Sequence, residues 1–91
     1  MRRLNENLYK AFLSLKTVEE CGEFLEDICT PREIENLASR LEAARLLLKG
    51  YTYEDIMEKV NISSSTLSKV NKSIKFGEGG YEKVIDRIME K

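Results

Sequence analysis

The 91-residue chain has no histidine and no tryptophan, a single proline and only two cysteines. Each shortage excludes something. Without histidine the commonest general base and the usual zinc ligand are missing. Cys21 and Cys29 fall in one helical-looking segment. At helical rise they would stand about 12 Å apart, beyond the roughly 7 Å that a disulfide tolerates. Two buried thiols in a reducing cytoplasm are the simpler reading, and an intermolecular bridge is the other. No apolar run approaches the roughly 20 residues of a bilayer span, so no membrane partner is expected. The opening Met1-Arg2-Arg3-Leu4-Asn5-Glu6 runs into mixed charge and does not read as a secretory signal. Gly77-Glu78-Gly79-Gly80 reads as an interhelical turn, because a phosphate cradle would need a strand before it. With no nucleophile beside a plausible base and no ligand-spaced cysteine cluster, the chain is expected to be neither an enzyme nor a cofactor or metal carrier.

What is present suits a helical protein. Apolar residues make up 42% and charged ones 34%, which argues against disorder. The length allows one domain, residues 1–91. A chain this short buries only about 60% of its unfolded surface, so its own core is marginal. Leu4, Leu8, Ala11, Phe12 and Leu15 recur at helical spacing. Thr17-Val18-Glu19-Glu20 reads as a capping box, with Val18, Cys21, Leu25 and Ile28 as the buried stripe behind it. These N-terminal helices, residues 1–29, also carry Tyr9, Leu13 and Phe24 outside their main stripes. Association through this half would cover them; tolerated surface apolar residues are the other reading.

Thr30-Pro31-Arg32-Glu33 is a second capping box, with proline where no N–H is needed. It opens a long central helix over 30–49, whose stripe of Ile34, Leu37, Ala38, Leu41, Ala44 and Leu48 runs to a C-capping Gly50. A C-terminal amphipathic helix is expected over 80–90, carrying Tyr81, Val84, Ile85 and Ile88. No β-alternation of useful length appears.

The net charge of −1 hides a segregation. From Lys59 to Phe76 the chain has four lysines and no acid, which leaves −5 for the rest. Alone, such a run is more often a solvated face. A local positive patch on a neutral protein can still hold phosphates, because steering follows charge distribution.

Residues 52–75 give that patch a context. A helix-turn-helix needs a short first helix, a three- or four-residue turn and a second helix that enters the major groove. Ile56, Met57 and Val60 can pack the first helix against Ile62, Leu67 and Val70. The turn calls for a residue tolerant of positive φ, which Asn61 supplies. Ser63 can cap the second helix. Ser64, Ser65, Thr66 and Ser68 then offer small hydroxyls to base edges in a groove about 12 Å wide. Lys69, Lys72 and Lys75 can reach phosphates. The expected partner is double-stranded DNA. A helical hairpin with a serine-rich cap and a solvated lysine face remains the plainer alternative.

Beyond the motif, the chain resembles the Trp repressor family, and in particular its YerC/YecD group. The resemblance covers about Phe24 to Met89. It rests on Leu25-Glu-Asp-Ile-Cys-Thr-Pro-Arg-Glu-Ile-Glu-Asn-Leu, Arg40, Leu46-Leu47-Leu48-Lys49-Gly50 and the helix-turn-helix. It implies an all-α, Trp repressor-like intertwined helical homodimer that presents two reader helices to successive major grooves, about 34 Å apart.

The family's tryptophan site carries over in part. Thr30 matches its threonine and Arg40 its first arginine, while Lys69 stands at the second arginine and Val70 at the following glycine. Lysine stacks less well than a guanidinium, and valine adds bulk where the indole would need room. The resemblance therefore argues against tryptophan as corepressor and leaves another small-molecule effector open at Thr30, Arg40 and Lys69. Tryptophan-responsive members also carry a basic residue early in the first motif helix, where this chain has Tyr53, Glu54 and Asp55. Acids there oppose phosphate docking unless they serve the helix N-terminus. The expected function is a cytoplasmic, sequence-specific DNA-binding transcriptional regulator, a repressor acting as a homodimer. The alternative is a protein-interaction or small-molecule-sensing dimer whose motif no longer reads DNA.

Overall fold

The computed structural model describes residues 2–89. Six helices follow one another with no strand among the described residues: α1 (Arg2–Ser14), α2 (Val18–Ile28), α3 (Pro31–Leu48), α4 (Tyr53–Lys59), α5 (Ser64–Phe76) and α6 (Gly80–Ile88). The all-α expectation holds. The C-terminal helix is described over Gly80–Ile88, and residue 90 of the expected range lies outside the described part, as do residues 1 and 91.

The caps explain where the helices start. The Thr30 backbone N–H donates to Glu33 Oε1 at 2.8 Å, and the Glu33 N–H donates to Thr30 Oγ1 at 3.1 Å. That is a complete capping box, and two orphan donors are satisfied at once. At α2 the box is displaced by one residue. Thr17 Oγ1 accepts from the Glu20 N–H at 3.0 Å, but the Glu20 carboxylate takes the N–H of Lys16, at 2.8 Å, rather than that of Thr17. At the far end of α3, Tyr51 N–H reaches back to Leu46 O and Gly50 N–H to Leu47 O. This is a Schellman closure, and it holds Gly50 at φ +97°, where a side chain would be strained.

Two compact units divide the chain, one up to Ile34 and the other from Glu35 onward. In the first, Phe12 and Phe24 meet edge to face with ring centroids 5.5 Å apart. Phe24 is thus half covered by its neighbour, although it lies off the main stripe. No side chain of α2 is fully buried. Of the stripe expected there, Cys21 and Leu25 are half-buried, whereas Val18 (84% exposed) and Ile28 lie open in a single chain. Leu13 is 85% exposed. Cys29 sits one residue past α2 in extended backbone, and both thiols are free.

The second unit holds the core. Ala43, Leu46, Ile56, Val60 and Leu67 form one buried cluster, with Leu47, Tyr53 and Ile62 packed against it. Ala44, Val70 and Ile85 form another, flanked by Leu41, Ile74 and Tyr81. Fully burying Ile56 and Leu67 contributes about 1.5–3 kcal/mol each before entropy. These clusters fasten α4 and α6 to α5 through its Leu67–Val70–Ile74 side. The opposite side of α5 is left free.

Candidate nucleic-acid interface

The geometry of α5 begins with Thr52, which caps α4 by accepting the Asp55 N–H at 3.1 Å. The seven residues of α4 end at Lys59, and the Val60 that follows is extended (φ −128°). The chain re-enters helix at Ser63, also extended (φ −81°, ψ 159°). No described residue other than glycine has positive φ, so the left-handed turn expected at Asn61 is not formed. The direction change comes from the two extended residues that bracket it, Val60 and Ser63. Ile62 between them is half-buried against the core and ties the turn down.

Ser63 does cap α5. Its Oγ accepts the Thr66 N–H at 3.2 Å and donates to Thr66 Oγ1 at 3.0 Å, with Ser65 Oγ 3.3 Å away. Ser63 and Thr66 are therefore engaged with each other, and Thr66 is half-buried. Ser64, Ser65, Ser68, Lys69, Lys72 and Lys75 are exposed, while Leu67 and Val70 on the opposite side are buried. At 100° per residue, Ser65, Lys69, Lys72 and Phe76 fall within about 60° of one another. They form the outward stripe, with Ser68 and Lys75 on one flank. Phe76 is not singled out by the sequence pattern. Its 80% exposure at the lysine end of this stripe depends on how α5 packs, which periodicity alone does not give.

The first motif helix differs from expectation in one side chain. Met57 is exposed and takes no part in the buried cluster, where Ile56 and Val60 carry the contact with Leu67. A seven-residue helix turns only two or three side chains toward a partner, and Met57 follows Ile56 by 100°, off that face. Glu54 and Asp55 are exposed in the first turn of α4, where the helix dipole favours acids. Lys59 Nζ lies 5.8 Å from the centroid of the Tyr51 ring.

The positions that the resemblance assigns to a ligand are all solvent-exposed. Thr30 serves as the α3 cap in the first unit, and Arg40 and Lys69 lie on α3 and α5 in the second. A cleft of about 430 Å³ opens beside Glu26, Cys29, Pro31 and Ile34 in the first unit. Another of about 660 Å³ lies between the end of α3 and α6 in the second unit. Neither is lined by Thr30, Arg40 or Lys69. Val70 is 3% exposed and packs with Ala44 and Ile85, so that side of α5 is filled by the protein itself. Among the described residues no group of three acidic, histidine or cysteine side chains could hold a metal ion, and no helix is long and apolar enough to cross a membrane.

A short capped helix, an extended turn and a second capped helix with a cationic outer stripe define an all-α helix-turn-helix protein. The chain belongs to the Trp repressor family, and to its YerC-like group: the family model described as Trp repressor protein matches residues 4–89. It is 42% identical over 85 residues to the uncharacterised protein YerC of Bacillus subtilis (strain 168), an alignment spanning 93% of this chain and 82% of YerC. Among solved structures it is similar to a TrpR-like protein from Eubacterium eligens ATCC 27750, with a TM-score of 0.91 and 42% identity over 97% of this chain and 91% of that one. It is also similar to a candidate Trp repressor from Staphylococcus aureus, with a TM-score of 0.92 and 35% identity over 98% of this chain and 89% of that one. The family is one of DNA-binding regulators, not of enzymes.

Proposed function

We propose that the protein is a sequence-specific, double-stranded-DNA-binding transcriptional regulator of the cytoplasm, a repressor that works as a homodimer. One observation carries the reading. Helix α5 buries Leu67 and Val70 and turns Ser65, Ser68, Lys69 and Lys72 outward, with no acid between Lys59 and Phe76. Small hydroxyls fit the groove floor, and lysines answer phosphate. Ser63 and Thr66 act by fixing the N-terminus of α5. Ser64 joins the exposed readers, and Lys75 flanks them.

The homodimer is supported by the first unit. Leu4, Tyr9, Leu13 and Val18 are all well exposed there, a larger apolar display than a monomer of this size ordinarily tolerates. Pairing through α1 and α2 would make residues 1–29 the dimerisation half of a single helical domain. It would also carry two copies of α5 on one two-fold assembly, with half-sites about 34 Å apart.

The buried Val70 supports DNA binding without tryptophan, because it puts a packed valine where the resemblance has the family's glycine. The resemblance leaves an effector of other chemistry open, with Thr30, Arg40 and Lys69 each exposed within its own unit. The exposed Glu54 and Asp55 favour the second reading, a helical dimer that binds protein or a small molecule. Duplex binding measured by fluorescence anisotropy, with and without tryptophan, separates these readings. The proposal expects binding at low salt that tryptophan leaves unchanged, by a species whose sedimentation mass is twice that of one chain. No binding by the folded protein would refute it.

A further inference from the structure

Phe76 is the last residue of α5 and 80% exposed. It sits among lysines rather than in an apolar patch. Lys69 and Lys72 share its stripe, Lys75 precedes it, and no acid occurs between Lys59 and Glu78. A face of this kind is a poor contact for its own symmetric copy, since a two-fold axis through it would bring like charges together. It suits a polyanion that offers apolar surface between its charges.

We propose that Phe76 is a DNA-positioning residue whose ring packs on the deoxyribose edge of the backbone that flanks the groove. This rests on the DNA-binding reading above. The helix supplies the reach. Eleven residues at 1.5 Å each put Phe76 about 16 Å along the axis from Ser65. The major groove is about 12 Å wide. With Ser65 at the base edges, the far end of α5 has left the groove and lies over the sugar–phosphate wall. There the lysines meet phosphate oxygens, and the ring meets the C–H surface of the sugars between them. Such a contact carries no base information, so it acts equally on every sequence. It releases no counterion either, and so adds affinity that salt does not screen.

The test is a salt titration of binding to mixed-sequence duplexes of about 30 base pairs, three helical turns. Wild type, Phe76→Ala, Phe76→Tyr and Lys72→Ala are compared, each shown to be folded by circular dichroism. Phe76→Ala should bind about tenfold more weakly at every salt concentration and on every duplex, as expected for losing roughly half a ring's burial, with an unchanged salt slope. Phe76→Tyr should bind as wild type does. Lys72→Ala should instead flatten the slope, by about 0.9 for each phosphate that is no longer neutralised. Wild-type affinity for Phe76→Ala would overturn the proposal while leaving the DNA-binding reading intact. So would a fall in the sedimentation mass of that variant, which would make the ring a subunit contact. Failure of the wild type to bind any duplex would remove both the proposal and the reading beneath it.

Discussion

Ser63 and Thr66 bond to each other twice: the Ser63 hydroxyl oxygen takes the Thr66 N–H at 3.2 Å and gives its own proton to Thr66 Oγ1 at 3.0 Å. This pair sets where α5 begins, and so where its exposed serines stand. Ser63→Ala should lower stability by about 1 kcal/mol, the usual cost of losing a hydroxyl N-cap. In a domain of this size that corresponds to a fall in Tm of about 4–8 °C. Ser63→Asp should restore the cap and the Tm, yet weaken duplex binding by placing an acid at the end of α5 proposed to read DNA. A thermal melt and one anisotropy titration check both halves.

Gly77 closes the other end of α5. Its N–H donates to Ser73 O at 2.8 Å, and a Cβ built there would collide with that same backbone carbonyl. A main-chain oxygen cannot swing aside as a flexible side chain can. Gly77→Ala should therefore open the last turn of α5 and cost about 1–3 kcal/mol, in the range of overpacked sites. Gly80→Ala meets no atom within 4 Å and starts α6 in helical backbone, so it serves as the control and should melt at or slightly above wild type.

Glu42 accepts from Arg45 Nε at 3.0 Å and from Nη2 at 2.6 Å. The guanidinium's hydrogen bonds, helped by its charge, hold the Glu42 carboxyl below its ordinary value of 4.5, and burial opposes them only in part. A carboxyl whose pKa is lower folded than unfolded stabilises the fold above its unfolded pKa. That contribution is lost as the pH falls through the folded value. Glu42→Gln should thus melt below wild type at pH 7, and the two curves should converge under acid, below pH 4.5. A constant gap across that range would show that the pair does not act through ionisation.

Much of this was legible because a cap is a local event. Thr30 and Glu33 lie three residues apart and find each other on any helix that starts there, and Gly50 and Ser63 work by equally short bonds. The failures concern which way side chains face across the packing. Asn61 has the chemistry for a left-handed turn, but extended backbone at Val60 and Ser63 makes the corner without one. Met57 fits an apolar pattern that Ile56 and Val60 already complete. Glu20 could reach either of two adjacent N–H groups and takes that of Lys16. Exposure of Phe76 depends on α5 resting on Leu67 and Val70, a tertiary fact that no local pattern contains.

Val70 offers a check on ligand independence. It is buried beside Ala44 and Ile85, at the position where the resemblance puts the family's glycine. Tryptophan added at millimolar concentration should shift the Tm of the wild type by less than the scatter between melts, whereas a ligand at about 100 times its Kd would stabilise by about 2.7 kcal/mol. A dose-dependent rise in Tm would reverse this part of the account.

The central claim is that the lysines of α5 neutralise DNA phosphates. Its most direct test is the salt dependence of duplex affinity for wild type and for the Lys69→Ala/Lys72→Ala double variant. The account predicts salt-sensitive binding by the wild type, and a slope of log K against log salt that flattens by about 1.8 per subunit in the double variant, at unchanged sedimentation mass. Equal slopes in two folded proteins would contradict it.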